Sequence, residues 1–473
     1  MLKSSSRKAI TVAVTIAAMF AQSFAQQKAP KYVFYFIGDG MGVNAVQMTE
    51  MYLASCQGRI GIEPLRFSQF PVVTFGTTYS NNRNVTDSAA SGTALATGSK
   101  TDNARIGLAP DGGRLTSIAE MAKRSGMKVG ITTSVGINEA TPAAFYAHQQ
   151  NRGMYYEISK DLIASDFDFF AGLNIQKKST LYDGSKAPDI RLLMDDAGYS
   201  LIYGVKEFNE CWKDADKVIL MPAKGEGFGY GIDRLARNPE GLTLSQITES
   251  AITFLSNDNK KGFFLMVEGG NIDGAEHGHD GANVIREILD FNDAVEVAYQ
   301  FYLKHPKETL IVITADHETG GLSLNPYTPS QLPLLDCQKH SQESISNILK
   351  KKISAMAPDV LSWEETKAFL EEYVGLWTKT PVSWEEEKLL RDTYEITVAQ
   401  SVPGSQKDLY ADNALLVARA VQILNEHAGL HWTTEHSAGM VPIYAIGVGQ
   451  EKFSAKMDNA LIPQLILQIA KYK

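Results

Sequence analysis

Several short runs of apolar residues, rich in aromatic and β-branched side chains, mark the predicted strands along this chain. The runs are YVFYFIG from Tyr32, KVGITTS from Lys128, GFFLMV from Gly262, TLIVITA from Thr309 and VPIYAIG from Val441. Each run is apolar almost throughout instead of alternating with polar residues, as expected of strands that are buried on both faces. The pattern therefore predicts a mostly parallel central sheet with helices on both of its faces.

Segments with helical spacing, such as LTSIAEMAKRSG and NVIREILDFNDAVEVAYQFYLKH, lie between these runs. An alternation of strand and helix predicts a doubly wound α/β fold, in which binding sites form beyond the carboxyl ends of the strands. The stretch from about 322 to 430 differs, because it carries the charge runs KKK and SWEEEK and several helical patterns. We interpret it as a mainly helical subdomain inserted into one α/β domain that spans 26–473.

The tetrapeptide SWEE occurs twice in this inserted stretch, beginning at Ser362 and at Ser383. A serine that is followed three residues later by a glutamate fits a capping box at a helix N-terminus. The repeat therefore indicates two helix starts rather than a functional repeat.

The first residues have the features of a secretory signal peptide. Three basic residues precede the apolar run AITVAVTIAAMF, and Ser23 and Ala25 provide the small residues of a cleavage site. The alternative, a membrane anchor, would need a longer apolar run to span a bilayer. We therefore expect cleavage after Ala25, a periplasmic or secreted protein, and no membrane span in the mature chain.

The charge balance limits the partners of the mature chain. Removal of residues 1–25 would leave 42 basic against 54 acidic residues, because three of the 45 lysines and arginines lie there. The resulting net charge near −12 argues against nucleic-acid binding, which needs basic patches. It does not exclude an anionic substrate, because bound metal ions could supply positive charge locally. The protein is expected to be a monomer or a homodimer.

The chain has three cysteines, Cys56, Cys211 and Cys337, which lie far apart and lack the spacing of a metal site. An exported chain could form one disulfide from them and leave one free thiol. The interpretation that we favour is three buried apolar cysteines.

Acidic side chains stand at the ends of three predicted strands. Asp39 follows FYFIG, Glu268 follows FFLMV, and the pair Asp316 and His317 follows LIVITA. One such residue at a strand end is commonly a turn or capping residue. Three of them at the carboxyl edge of one sheet, with a histidine added, indicate a site.

Further ligand-type residues occur in two motifs outside these strand ends. Asp273 and His277 lie in EGGNIDGAEHGHD, and His436 lies in TTEHSAGMV. Because Asp273 and His277 are four residues apart, both can bind one ion from a single helical turn. Histidine and carboxylate ligands without cysteine suit catalytic Zn²⁺, whereas Mg²⁺ and Mn²⁺ suit sites in which oxygen dominates.

The stretch NVTDSAASGTALATG, from Asn84 to Gly98, consists almost wholly of small residues after its aspartate and serine. Small residues allow close packing of a helix, and they leave room above Ser88 at the predicted helix start. A serine hydroxyl is a weak nucleophile that needs activation. No G-x-S-x-G motif surrounds Ser88, whereas metal ions and a helix N-terminus could supply the activation.

These motifs resemble those of the alkaline phosphatases, which are metal-dependent phosphomonoesterases. VTDSAASGTA is highly specific for that family, VEGGNID and TADH are nearly so, and the resemblance runs from Tyr32 to about Gly449 apart from the inserted stretch. It implies hydrolysis of phosphate monoesters at alkaline pH through a phosphoserine intermediate. Alternatives are a phosphodiesterase or sulfatase on the same scaffold, or a non-catalytic phosphate-binding protein.

The resemblance also implies roles for individual residues. Ser88 would be the nucleophile, and Arg152 in AHQQNRGMYY would bind the phosphate oxygens with its planar fork. One zinc would be bound by Asp273, His277 and His436, a second by Asp39, Asp316, His317 and the Ser88 oxygen, and a magnesium by Asp39, Glu268 and Thr141.

Two positions depart from the family pattern. Glu139 stands where the family has Asp or His near the magnesium, and Gly274 stands where a larger side chain such as Lys, His or Trp is common. Because these positions tune the third metal site and phosphate release, the resemblance does not fix magnesium occupancy, product affinity or pH optimum.

Overall fold

The computed structural model describes residues 28–223, 229–237, 241–356, 359–398 and 413–473. A ten-stranded, mostly parallel sheet forms its centre, which confirms the predicted α/β class. The expected signal peptide, residues 1–25, lies outside the described residues. No helix among the described residues has the length and apolar character needed to cross a bilayer.

The strands are numbered consecutively along the chain. They are β1 (Tyr32–Gly38), β2 (Val72–Thr77), β3 (Lys128–Thr133), β4 (Phe169–Ala171), β5 (Tyr199–Tyr203), β6 (Lys217–Met221), β7 (Phe263–Gly269), β8 (Thr309–Ala315), β9 (Glu318–Thr319), β10 (Ser323–Leu324), β11 (Leu430–His431), β12 (His436–Ser437), β13 (Val441–Gly447) and β14 (Met457–Asp458). The order in the sheet is β14-β2-β13-β8-β1-β7-β3-β4-β6-β5.

Each apolar run predicted from the sequence forms a strand, but β13 does not run parallel to its neighbours. It pairs antiparallel with both β8 and β2. The chain reaches β13 from β12, which pairs with β9 just beyond the end of β8. Because the chain enters β13 from the carboxyl edge of the sheet, β13 has to run back across it.

The central strands are buried on both faces, which explains why they are apolar throughout. Along β1, Phe34 and Phe36 belong to one hydrophobic cluster, and Tyr35 and Ile37 belong to another. Successive side chains of a strand point to opposite faces. The two clusters are therefore the two layers between the sheet and its covering helices.

The helices are numbered in the same way. They are α1 (Val43–Cys56), α2 (Ser88–Thr97), α3 (Ile118–Arg124), α4 (Ala140–Ala143), α5 (Tyr155–Ser165), α6 (Ile190–Asp196), α7 (Gly204–Cys211), α8 (Gly231–Arg237), α9 (Leu244–Ser256), α10 (Asn271–His277), α11 (Gly281–Lys304), α12 (Gln342–Met356), α13 (Trp363–Val374), α14 (Trp384–Thr397), α15 (Asn413–His427) and α16 (Leu461–Ala470).

Helices α12 to α15 occupy the stretch from about 322 to 430, and they pack against one another around α15. Strands β10 and β11, at the two ends of this stretch, pair with each other in antiparallel orientation. Ser362 and Ser383 form the two capping boxes that the SWEE repeat predicts, with Glu365 and Glu386 as partners.

All three cysteines are free, so no disulfide forms among them. The expectation that they are buried is wrong. Cys56 is exposed, and Cys211 and Cys337 are half-buried. Cys56 is the last residue of helix α1, and Cys211 is the last residue of helix α7.

Candidate active site

The three acidic strand ends meet at one edge of the sheet because their strands are neighbours. Strand β1 lies between β7 and β8, and Gly38 pairs with Gly269 on one side and with Ala315 on the other. Asp39 and Asp316 follow these positions, and Glu268 precedes one of them. The register therefore brings Asp39 together with two carboxylates that lie more than 200 residues further along the chain.

A first group of ligand atoms comes from Asp39, Asp316 and His317, which lie within 4.8 Å of one another. Nε2 of His317 lies 3.5 Å from Oδ1 of Asp39 and 3.3 Å from Oδ2 of Asp316. The backbone N–H groups of Gly40 and His317 both donate to Oδ1 of Asp316. These bonds fix that carboxylate and leave its other oxygen facing His317.

A second group forms beside the first from Asp273, His277 and His436. Nε2 of His277 lies 3.1 Å from Nε2 of His436 and 3.4 Å from Oδ2 of Asp273. Nδ1 of His436 lies 3.0 Å from the backbone carbonyl oxygen of Thr86. That contact turns Nε2 of His436 toward the other two side chains. Asp273 and His436 also lie within 4.8 Å of His317, so the two groups adjoin.

Ser88 is the first residue of helix α2, directly beside both groups. Its N-cap neighbour Asp87 accepts a hydrogen bond from the backbone N–H of Ala90 at 3.0 Å. The hydroxyl oxygen of Ser88 lies 3.2 Å from Nε2 of His317. Nη1 of Arg152 lies 3.4 Å from the same oxygen and 3.7 Å from Oδ2 of Asp87. The serine is thus held between an imidazole and a guanidinium.

Glu268 and Thr141 extend the site on the side of Asp39. The Thr141 hydroxyl donates to Oδ2 of Asp39 at 3.4 Å and to Oδ2 of Asp316 at 3.5 Å. Glu268 is fully buried, and its Oε2 accepts a hydrogen bond from the Thr133 hydroxyl. Its Oε1 has no hydrogen-bond partner among the described residues.

The electrostatics of this site favour cations. Burial raises the pKa of Glu268 to about 8, and burial together with the charges of Asp316 and Asp273 raises the pKa of Asp39 well above its usual range. Burial also lowers the pKa of His317 to about 3, which keeps the imidazole neutral. The neutral His317 imidazole, the crowded carboxylates and an orphaned buried carboxylate oxygen form a donor set that fits divalent cations.

Both positions that depart from the family pattern have local partners. Glu139 accepts hydrogen bonds from the Tyr155 hydroxyl at 3.2 Å and from Gln176 at 3.3 Å. Burial raises the pKa of Glu139. At Gly274, a Cβ atom would lie 2.7 Å from the hydroxyl oxygen of Tyr230. Tyr230 therefore occupies the space that a side chain larger than glycine would need at position 274.

The sequence interpretation missed two residues that organise the site. Thr319 donates to Oδ1 of Asp273 at 2.6 Å and lies 3.1 Å from Nδ1 of His317, so it links the two ligand groups. Asp87 both caps helix α2 and pairs with Arg152. Its position before a helix start is a capping signal that the sequence contains, whereas the role of Thr319 depends on tertiary contacts.

The chain is similar to alkaline phosphatases in sequence and in fold. The profile of the family described as alkaline phosphatase matches residues 30–169 and 182–472. Alkaline phosphatase 4 of Bacillus subtilis (strain 168) is 33% identical over 397 residues, 82% of this chain and 77% of that protein. The cold-active alkaline phosphatase of the psychrophile Shewanella sp. is 28% identical, with a TM-score of 0.76 and coverage of 93% of this chain and 99% of that chain. A magnesium-bound variant of TAB5 alkaline phosphatase is 28% identical, with a TM-score of 0.65 and coverage of 95% and 100%.

Proposed function

Because the chain belongs to the alkaline phosphatase family, whose members are metal-dependent and hydrolyse phosphate monoesters, we propose that Ser88 is the nucleophile of this hydrolysis. The observation that carries the proposal is the position of its hydroxyl, 3.2 Å from His317 and 3.4 Å from Arg152 at a helix start. A helix N-terminus and a guanidinium both favour an anionic phosphate at this point.

The donor set supports three cation sites. We assign Asp273, His277 and His436 to one zinc, Asp39, Asp316 and His317 with the Ser88 oxygen to a second, and Asp39, Glu268 and Thr141 to a magnesium. The magnesium bound in the M3 site of the TAB5 variant supports the proposal of a magnesium site beside the other two. When bound, such ions stabilise the negative charge on the entering and leaving oxygens of an in-line displacement.

The protein side chains then have defined tasks in two successive displacements. Oγ of Ser88 loses its proton and forms a bond to phosphorus as the bond to the alcohol oxygen breaks, and that oxygen takes up a proton as the alcohol leaves. A water oxygen then attacks the phosphoserine, which releases inorganic phosphate and restores the serine hydroxyl. Arg152 holds two non-bridging oxygens throughout, and Asp87 keeps its guanidinium in place from 3.7 Å.

Substitution of the nucleophile tests this proposal. We expect Ser88→Ala to lower turnover of an aryl phosphate monoester by at least about a thousandfold. Its zinc content at saturating zinc should stay unchanged, because Asp39, Asp316 and His317 remain as ligands of the second zinc. Ser165→Ala is a matched control, because that hydroxyl lies at the end of helix α5, where it donates to the Leu162 carbonyl and accepts from the Phe167 N–H. Substantial monoester turnover by Ser88→Ala would overturn the covalent mechanism. A preference of the wild type for the diester would point instead to the phosphodiesterase alternative.

We also propose that the protein is exported and that helices α12 to α15 form a subdomain inserted into one α/β domain. The basic and apolar pattern of residues 1–25 supports export. N-terminal sequencing of the exported protein is expected to begin at Gln26. An intact Met1 on the exported protein would contradict cleavage after Ala25.

A further inference from the structure

A hydrogen bond from the half-buried Trp432 to a buried glutamate lies directly behind the two histidines assigned to one zinc. Nε1 of Trp432 donates to Oε2 of Glu276 at 2.6 Å. Glu276 is fully buried in helix α10 and immediately precedes His277. Trp432 lies four residues before His436. The bond therefore joins the segment that carries one histidine to the segment that carries the other.

A third segment of the site meets this pair at Gly320, three residues after His317. A Cβ atom on Gly320 would lie 2.4 Å from Cδ1 of Trp432 and 3.1 Å from Oε2 of Glu276. Gly320 has a φ of 93°, and its N–H donates to the carbonyl of Glu435. Only a glycine fits here, because the indole packs directly against the backbone. The three ligand-bearing segments thus converge on one contact.

The surroundings of Glu276 argue that the contact does more than fill space. Its other oxygen, Oε1, has no hydrogen-bond partner among the described residues. An apolar side chain would avoid the desolvation penalty of a buried carboxylate. A directional acceptor, in contrast, fixes where the indole lies, and with it the path of the chain toward His436.

Helix α15 holds the same region from its outer side. The ring of His279 stacks on Trp432 with centroids 5.9 Å apart, and its Nε2 lies 3.1 Å from the Thr434 carbonyl oxygen. Asn425 of α15 donates to the His279 carbonyl at 2.7 Å. The inserted helices are therefore connected to the loop that follows His277.

We propose that the hydrogen bond from Trp432 to Glu276 is a positioning device that sets the distance between the imidazoles of His277 and His436. Those rings lie 3.1 Å apart at their Nε2 atoms, so a small shift of either segment changes how both face one ion. The inference rests on the proposed function for the zinc assignment, and it adds two residues that do not themselves face the ion. Loss of such supporting partners typically weakens metal binding by about 10–100-fold.

The test is zinc affinity, measured on the full chain by competition with a chromophoric chelator. Trp432→Phe removes the donor and keeps an aromatic ring, and we expect the zinc assigned to Asp273, His277 and His436 to bind about 10–100-fold more weakly. Trp377→Phe is the matched control, because Trp377 makes the same kind of bond to Glu387, at 3.0 Å, on the inserted helices. It should leave zinc affinity unchanged. At saturating zinc, kcat of Trp432→Phe should return toward that of the wild type.

A second pair of variants keeps the test decisive if Trp432→Phe folds poorly. Glu276→Gln retains an acceptor of the same size and should bind zinc more tightly than Glu276→Leu, which retains none. Equal zinc affinity of wild type and Trp432→Phe, or equal loss in Trp377→Phe, would overturn the positioning role. A wild type that binds no zinc would instead contradict the proposed function.

Discussion

Nη1 of Arg152 lies 3.4 Å from the hydroxyl oxygen of Ser88, although 64 residues separate the two along the chain. The guanidinium also lies 3.7 Å from Oδ2 of Asp87, the N-cap of helix α2. The residue that caps the serine's helix thus also places the arginine. A phosphate on Ser88 would therefore meet a cation that is already oriented.

Replacement of this arginine should impair monoesters more than diesters. A monoester dianion presents more charged oxygens to the guanidinium fork, so we expect Arg152→Ala to lower kcat/KM for an aryl phosphate monoester by about 100-fold. The loss for the diester should be below about tenfold, and Arg152→Lys should recover only part of the monoester activity. Steady-state kinetics on both esters measure the difference. Arg191→Ala, a surface arginine paired with Asp189, serves as control. Equal losses on both esters would contradict the proposed phosphate contact.

The small residues of helix α2 can be tested at Gly92. A Cβ atom there would lie 3.2 Å from Cα of Thr141 and 3.3 Å from Cβ of Ala144. Gly92→Val should therefore destabilise the protein by about 1–3 kcal/mol and lower kcat, because it forces Ser88 and Thr141 apart. Thermal unfolding and steady-state kinetics report the two effects. Thr97→Val, at the half-buried end of the same helix, loses only local hydrogen bonds with Thr93 and Ser99 and should leave kcat unchanged. A Gly92→Val protein with wild-type stability would show that the close packing is dispensable.

Much of the fold was predictable because its strands are buried on both faces. Because of that burial, the runs at Tyr32, Gly262 and Thr309 are apolar throughout. These three strands are neighbours in the sheet, so their carboxyl ends meet at one edge. The reversal of β13 was not predictable, because it depends on where the chain re-enters the sheet after His436. An apolar run has the same composition in either direction.

The residues of the site also fall into those that the sequence predicts and those that it does not. Asp39 and Asp316 could be predicted because each directly follows a strand, where local position fixes the side chain at the sheet edge. Thr319 and Trp432 could not, because each acts through contacts between distant segments. The burial of Cys56 was predicted wrongly, since an isolated cysteine carries no signal of its position on a helix end.

The third cation site can be tested at Glu268. Its Oε1 is buried and unpartnered among the described residues, and burial raises its pKa to about 8, so a cation would replace a proton there. We expect Glu268→Gln to abolish the stimulation of monoester hydrolysis by magnesium after chelation and return of zinc. The measurement is the hydrolysis rate against magnesium concentration. Glu287→Gln is a matched control, because Glu287 is another buried glutamate with a pKa of about 8. Undiminished stimulation of Glu268→Gln would contradict the assignment.

Glu287 itself predicts how stability depends on pH. Burial, assisted by the charge of Asp290, raises its pKa from 4.5 to about 8, against the opposing hydrogen bond from the Gly231 N–H. A carboxyl whose pKa is raised by folding binds more protons in the folded state, so its contribution to stability is lost as pH rises from about 4.5 to about 8. Glu287→Gln stays neutral and can still accept from Gly231. Relative to the wild type, its melting temperature should therefore increase between pH 5 and pH 9, by an amount equivalent to a few kcal/mol at most. Thermal scans of both proteins at fixed zinc and magnesium give this difference, in which the titration of all other groups cancels. A difference that is constant from pH 5 to pH 9 would mean that Glu287 is ionised in the folded protein across that range.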